Sequence, residues 1–364
     1  MRYAMIMAGG RGTRLWPMSR DAAPKQILPF INGKNLLQIA AQRLEGLVPP
    51  AQRYVCAATQ HEAMIRQGLP ELGPDQFLGE PCGRDTLNAV GLSAAVIARR
   101  DPAAVIAVFT ADHIIEPEEQ FRAIVASGFE LAERLPDSLI TFGITPTHAA
   151  TGYGYLELGE ELGQGARRVA QFKEKPAAAT AAAYVAAGPG RYLWNSGMFV
   201  WRAATLLDCL RRYAPQNYEG LQTIAAAWDT PQRQAVLNAV YPTLPKISVD
   251  FAIMEPASRD PAVRVAAIPM PLRWLDVGSW PAFAQTCPQD AAGNALAAAK
   301  HLLLNSTGTL VASSDPNHLV VTVGCHNLLI IHTPDATLVC AADQAEAIKE
   351  VQKQVAEQFG AQYV

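Results

Sequence analysis

Residues Arg2-Tyr3-Ala4-Met5-Ile6-Met7-Ala8-Gly9-Gly10-Arg11-Gly12-Thr13-Arg14-Leu15-Trp16-Pro17, continuing through Arg20 to Pro24-Lys25-Gln26, decide how this chain is read. A short apolar run ends in a loop with three glycines in four positions. Such a loop lets backbone N–H groups converge and lets a ligand approach with no Cβ in the way. A nest of donors of this kind binds phosphate oxygens. Arg11, Arg14 and Lys25 add fixed positive charge, and arginine matches phosphate in a bidentate way. The plainer reading is a tight strand-to-helix turn with surface arginines. A dinucleotide fingerprint would need a third glycine where Leu15 stands, and no Gly-Lys-Ser/Thr triplet follows for a P-loop.

Charge separates the two readings. Residues 1–44 hold seven Lys/Arg and one acid, a net of +6, whereas the whole chain is −3, so the remainder carries −9. Positive charge is concentrated where the glycines are, as a small polyanionic ligand requires.

Read whole, Gly9-Gly10-x-Gly12-Thr13-Arg14-Leu15-x-Pro17 followed by Pro24-Lys25-Gln26 resembles the signature of sugar-1-phosphate nucleotidylyltransferases. Its continuation through Met18-Ser19-Arg20 resembles the mannose-1-phosphate guanylyltransferase branch. The resemblance implies that Ala8, Gly9, Gly10, Arg11, Gly12 and Thr13 hold nucleotide, with Arg14 and Lys25 catalytic.

At 364 residues the chain exceeds what one core usually fills, so one large and one small domain are expected. Six scattered cysteines without a Cys-x-x-Cys pair point to reduced thiols in a cytoplasm rather than a disulfide framework or a zinc site. The run from Tyr3 to Ala8 is too short for a signal peptide. The uncharged run Pro316 to Pro334 carries three histidines and two asparagines, so no membrane span is expected. The net charge gives no reason to expect nucleic acid.

Short apolar runs (Tyr3–Met7, Tyr54–Ala57, Val105–Phe109, Leu139–Phe142) alternate with amphipathic ones (Leu36–Leu47, Thr86–Arg99, Glu118–Leu135). This predicts an α/β fold, with a mostly parallel, Rossmann-like sheet covered on both faces. Ligands of such sheets sit at the carboxyl ends of strands. Asp112, in Thr110-Ala111-Asp112-His113, falls at such an end, where it either faces a cation bridging phosphates or caps a turn. Gly79-Glu80-Pro81-Cys82-Gly83-Arg84-Asp85-Thr86 precedes a helix, and either wraps a base or caps the helix at Asp85 or Thr86. Here the resemblance implies Glu80, Gly83, Arg84, Asp85, Thr86 and Asp112 on the nucleotide. The chain has Asp85 and Leu87 where the family commonly has asparagine and alanine.

From about 150 to 285 the pattern changes. Gly152-Tyr153-Gly154 opens an alternating strand, Glu174 lies between Lys173 and Lys175, and Trp194-Asn195-Ser196-Gly197 opens an aromatic one. Singly these read as a hairpin, a solvated charge run and a buried strand. Together they supply a carboxylate, a cation, hydroxyl-reading groups and aromatic walls, as a sugar-phosphate pocket requires. The resemblance assigns Gly152, Tyr153, Glu174, Lys175 and Asn195 to the sugar phosphate. Ser248 to Glu255 reads as a short helix capped by Ser248 or Asp250. Asp276, before Val277-Gly278-Ser279-Trp280, reads as a helix cap; the resemblance makes it, with Asp112, a magnesium ligand.

Pro288–Asn294 is the best linker, dividing residues 1–290 from 291–364. Beyond it, short β segments at close spacing suit a solenoid or a hairpin stack; the resemblance implies a left-handed β-helix. Ala345–Phe359 is an amphipathic helix that closes the stack or meets a partner subunit. Truncation after about Asp290 is expected to leave the pocket untouched.

Carried to function, the resemblance implies that GTP and mannose 1-phosphate combine with Mg²⁺ to give GDP-mannose and diphosphate, in a cytoplasmic homodimer. A nucleotidylyltransferase for another sugar 1-phosphate or another NTP, and a non-catalytic nucleotide-sugar sensor, are the alternatives.

Overall fold

The computed structural model describes residues 1–10, 12–29 and 33–364. The chain forms two compact units. The first comprises Met1–Gly9, Ala40–Ala111 and Ile115–Trp274; the second comprises Gly10–Ile39, Asp112–Ile114 and Leu275–Val364.

The first unit is built on a nine-stranded sheet. Its strands are β1 (Arg2–Met7), β2 (Arg53–Ala58), β3 (Phe77–Glu80), β4 (Val105–Thr110), β5 (Ser138–Ile144), β6 (Tyr155–Gly163), β7 (Ala166–Lys173), β8 (Tyr192–Arg202) and β9 (Arg264–Pro269). In these labels the spatial order is β3-β2-β1-β4-β8-β5-β9-β7-β6. The half β3-β2-β1-β4 is parallel, as the alternation of apolar runs and helices predicts. β8 then enters antiparallel to both β4 and β5, and β6 and β7 form an antiparallel pair, so the sheet is mixed. For β6 and β7 the reason is local: they are joined by Gln164-Gly165, a two-residue turn with both φ positive, which cannot make a parallel crossover. Helices Asp85–Arg100 and Glu118–Arg134 match the periodic runs closely, whereas the first ends early, at Leu36–Gln42, before Gly46 at φ +76°. The core beneath the sheet joins Met5, Leu78, Ile97, Val108 and Trp201 to Leu210 and Leu221 of the helices Ala203–Tyr213 and Pro215–Ala227, and to Trp228 just after them.

The second unit contains the β-rich module. Strands β10 (Ala295–Ala297), β11 (Leu310–Ser313) and β12 (Leu328–Thr333) stack in parallel, and so do Lys300–Leu304 and Leu319–Val323. The spacing is 15 residues from β10 to β11, with Ala295 beside Leu310, and 19 in the other two pairings, with Leu310 beside Leu329 and Lys300 beside Leu319. Parallel stacking identifies a solenoid; only the last strand, Ala336–Ala341, folds back antiparallel on β12. Inside the coils Asn294 donates to the Ser306 carbonyl at 2.8 Å and accepts from the Thr309 N–H at 3.0 Å, satisfying backbone groups at the turn.

One result departs from the linear division of the sequence. Leu15, Trp16 and Leu36, which flank the glycine loop and Lys25, are buried in the same core as Leu310, Ala312, Leu329, Ile331 and Leu338 of the solenoid. Ala345 and Ile348 of the C-terminal segment complete that core. Truncation after Asp290 would therefore remove the packing under the loop, contrary to the expectation that the pocket is left untouched. In the helix Ile348–Phe359, Ile348 is buried whereas Val351 and Phe359 are exposed, so only part of its apolar face meets this core.

Candidate active site

In the second unit the chain after Gly9 turns through Gly10 and Gly12, at φ +89° and +62°, into a single 3₁₀ turn, Thr13–Leu15. A Cβ on Gly12 would collide with the Ser19 hydroxyl and sit 3.2 Å from Lys25 Cβ, so only glycine lets the loop close over Lys25. Arg11 lies outside the described residues. Ala8 is buried and its N–H donates to the Cys56 carbonyl at 2.9 Å, so that donor is committed to the protein.

Lys25 is buried, and its Nζ donates to Asp112 Oδ2 at 2.8 Å and to the Val277 carbonyl at 3.0 Å. The Val277 N–H donates to the Asp112 carbonyl at 3.0 Å, which ties the two acid-bearing segments together. Asp112, His113 and Asp276 each offer a ligand atom, all within 4.8 Å of one another. Neither acid makes the cap that a purely local reading would give it: the Asp112 carboxylate goes to Lys25, and Ser279 Oγ caps the helix Trp280–Ala284. Burial works to raise the Asp112 carboxyl, but the charges of Lys25 and His113 outweigh it and hold the group well below the usual range. Burial, and then the charge of Asp112, push Asp276 up to about 6. Two carboxylates thus share one lysine and are short of positive charge. Hard oxygen donors in this arrangement, with one imidazole, fit a small divalent cation. A Cβ on Gly278 would lie 3.2 Å from Asp276 Oδ1 and 3.3 Å from Arg14 Nη2, so the glycine keeps that edge open.

The first unit carries two further clusters. Glu80 is buried and accepts from the Tyr241 hydroxyl at 2.5 Å; burial pushes its carboxyl up to about 6, against that hydrogen bond. Arg84 donates to the Pro242 carbonyl. Asp85 sits at φ +64°, a conformation that asparagine and aspartate tolerate better than other side chains, and its Oδ1 accepts from the Thr86 N–H at 2.8 Å. Thr86 Oγ1 accepts from the Val249 N–H at 2.9 Å, and a Cβ on Gly83 would meet nothing within 4 Å.

The other cluster gathers Glu174, Lys175 and Asn195. Lys175 Nζ lies 3.2 Å from the buried Glu174 carboxylate. Asn195 Oδ1 accepts from Thr141 Oγ1 at 2.7 Å, and its Nδ2 donates to Asp250 Oδ1 at 2.9 Å. Asp250 therefore belongs with the sugar-assigned residues instead of capping its turn; Ser248 Oγ accepts from the Phe251 N–H. Burial, and then the Glu174 charge, push Asp250 up to about 7. Burial also raises Glu174, with Lys175 opposing. Tyr153 stands edge-on to both Trp194 and Trp274, each at 5.2 Å between ring centroids, while Gly152 lies exposed before it. Thr141, His113 and Asp250 escape the sequence reading. His113 alone carried a signal, its place beside Asp112 at a strand end.

Residues 3–293 match the family model described as nucleotidyl transferase, and the chain belongs to that family. Residues 299–355 match a second model, the mannose phosphate isomerase/GMP-like β-helix domain. The mannose-1-phosphate guanylyltransferase of Escherichia coli is 36% identical over 362 residues, covering 97% of this chain and 73% of that protein. That of Salmonella typhimurium is 33% identical over 355 residues, covering 95% and 71%. A crystal structure described as mannose-1-phosphate geranyltransferase from Thermus thermophilus superimposes with a TM-score of 0.85 at 35% identity, covering 97% of this chain and 99% of that one. Within the nucleotidyl transferases, the chain belongs with the mannose-1-phosphate guanylyltransferases. No helix among the described residues is long and apolar enough to cross a membrane.

Proposed function

We propose that the protein joins GTP and α-D-mannose 1-phosphate into GDP-mannose and releases diphosphate. The observation that carries this reading is the convergence of Asp112, His113 and Asp276 on one point, with Lys25 beside them in a segment that begins with the glycine loop. A nucleotide-sugar sensor has no need of such an acid pair; nucleotidyl transfer does. The relatives named above supply the choice of guanine and mannose.

In this reading the sugar-phosphate oxygen attacks the α-phosphorus of GTP in line, the bond to the β-phosphate oxygen breaks, and diphosphate leaves. The protein's task is positioning and charge neutralisation, with no covalent intermediate. The glycine loop and Arg14 hold the triphosphate and the departing diphosphate. Lys25, fixed by two hydrogen bonds, brings a positive charge whose direction does not need reorganising as charge develops. Mg²⁺, held by Asp112 and Asp276, would supply compact positive charge to the phosphate oxygens. The base meets the Glu80–Thr86 loop. Glu174 and Asn195, with Asp250 behind them, read sugar hydroxyls, and Lys175 meets the sugar phosphate. Along the chain, residues 1–290 carry the catalytic groups and 291–364 the β-rich module.

The partner in solution is a second copy. Leu302, Leu304, Leu319, Val321 and Val323 are each at least half exposed and share one face of the parallel pair Lys300–Leu304 and Leu319–Val323. They offer roughly 500 Å² of apolar surface, at the upper end of what a monomer leaves bare and a large part of the ~800 Å² that a standard interface buries per partner. Lys300, in register with Leu319, stands at one end of this face, and the apolar stretch beyond it is complementary to itself, as a two-fold interface requires. The six free cysteines fit a reducing cytoplasm.

The test is to supply Mg²⁺ with each pairing of an NTP and a sugar 1-phosphate and to measure diphosphate release. GTP with mannose 1-phosphate should give the highest kcat/KM. Faster turnover of another pair would overturn the base or sugar assignment, and no turnover of any pair would favour the sensor.

A further inference from the structure

Arg14 is held at one end of its guanidinium and lies beside the acid pair at the other. Nη1 donates to Glu346 Oε1 at 2.9 Å, and Nη2 reaches the Gly278 edge beside Asp276. Glu346 lies in the 3₁₀ segment Ala342–Ala347, between Ala345 and Ile348, both buried in the core that also holds Leu15 and Trp16. The carboxylate that meets Arg14 thus stands on backbone packed against the base of the glycine loop. Two more ties join the same parts of the unit. The Trp16 indole N–H donates to the Tyr363 carbonyl at 2.6 Å. Arg20 makes a two-pronged pair with Asp335, at 2.5 and 2.7 Å, and also donates to the Gln362 carbonyl at 3.3 Å.

We propose that Glu346 is a positioning residue of the triphosphate site: by holding Nη1 of Arg14 it aims Nη2 at the Asp112–Asp276 edge, where nucleotide phosphates bind. This rests on the reading above that Arg14 meets the triphosphate. A guanidinium is a rigid planar fork, so fixing one prong fixes the plane of the other. Fewer arrangements are then lost when phosphate arrives. The side chains of Arg14 and Glu346 are 41% and 77% exposed, and an ion pair so open to water contributes little to the stability of a fold. Its consequence is therefore sought in binding, and its removal leaves a folded protein to measure.

The test compares GTP affinity by equilibrium titration, together with kcat and the KM for mannose 1-phosphate, in the wild type, Glu346→Ala, Glu346→Gln, Arg14→Ala and the double variant Arg14→Ala/Glu346→Ala. Glu346→Ala should weaken GTP binding about two- to fivefold, the range an exposed ion pair spans. The KM for mannose 1-phosphate should not move. Glu346→Gln keeps an acceptor and should fall between Glu346→Ala and the wild type. In the Arg14→Ala background the Glu346→Ala change should have no further effect, since its target is gone. If Arg14→Ala weakens GTP but Glu346→Ala leaves it unchanged or tightens it, Glu346 does not position Arg14 and the proposal fails. It fails equally if Glu346→Ala has the same effect with and without Arg14. Unchanged GTP affinity in Arg14→Ala would instead remove the reading of Arg14 itself, and the proposal with it.

Discussion

Replacing Asp276 by asparagine sets function against stability in a way that can be worked from the structure. Partial burial, and then the charge of Asp112, push the Asp276 carboxyl up to about 6 in the fold. In the unfolded chain an aspartate titrates near 3.9. Between those values the folded state holds the extra proton, so stability falls as pH rises through the window and the full cost is present above it. Integrated, that cost is about 1.5 kcal/mol at pH 5 and about 3 kcal/mol at pH 8. Asp112 has the opposite sign: its depressed carboxyl contributes stability above the ordinary pKa and loses it only in acid, so it does not disturb the comparison. Asparagine has no charge to bury. In EDTA, Asp276→Asn should therefore be more stable than the wild type in urea unfolding, by a margin that grows by roughly 1.5 kcal/mol from pH 5 to pH 8. Turnover with Mg²⁺ should fall by orders of magnitude, because the proposed cation ligand is lost. Added Mg²⁺ should stabilise the wild type more than the variant. A variant less stable at pH 8 than at pH 5 relative to the wild type would refute the argument that Asp276 is a strained carboxylate. Near-normal turnover would refute its part in catalysis.

Three further outcomes are expected. Lys25→Ala should weaken GTP binding and slow turnover, whereas Lys175→Ala should raise the KM for mannose 1-phosphate about tenfold with GTP affinity retained, a charge-assisted contact being lost in each; equal loss of GTP affinity in titrations of the two would end the division of roles. Truncation after Asp290 should abolish GTP binding and leave a protein that binds hydrophobic dye, since Leu15, Trp16 and Leu36 lose their packing partners; retained affinity would show that the loop stands without the module. Leu302→Asp/Val321→Asp should yield a folded monomer by light scattering, because both side chains are at least half exposed in the single chain; an unaltered molar mass would move the interface elsewhere.

The parallel half of the sheet was legible because its strands are buried on both faces and read as plain apolar runs between periodic helices. The helices over 203–240 carry no chemistry-bearing motif, so a reading led by motifs passes over them. The antiparallel entry of β8 was also hidden, since Tyr192–Arg202 is apolar on both faces and its direction is set by the elements around it. The site shows the same split. Lys25, Asp112 and Asp276 could be singled out because each stands in a distinctive local sequence, and the structure brings them together. Asp250 could not: in sequence it is one polar residue in a helical stretch, and its hydrogen bond to Asn195 spans 55 positions.

The same limit explains why the glycine loop was read without its foundation. Glycines that open a backbone to phosphate also remove the side chains that would hold the backbone still. Something else must fix the loop, or the ordering has to occur when nucleotide binds. The residues that fix it, Leu15 and Trp16, are apolar and follow the loop directly, but their partners are Leu310, Leu329 and Ile331, about 300 positions later. Around that core stand polar ties of the same span, from Trp16 to Tyr363 and from Arg20 to Asp335. Periodicity in the C-terminal third signals a solenoid, whose inward positions need only be apolar, and nothing in it records that one apolar edge meets a loop near residue 15. The β-rich module thus supplies the packing partners of Leu15 and Trp16, the residues that follow the phosphate-assigned loop.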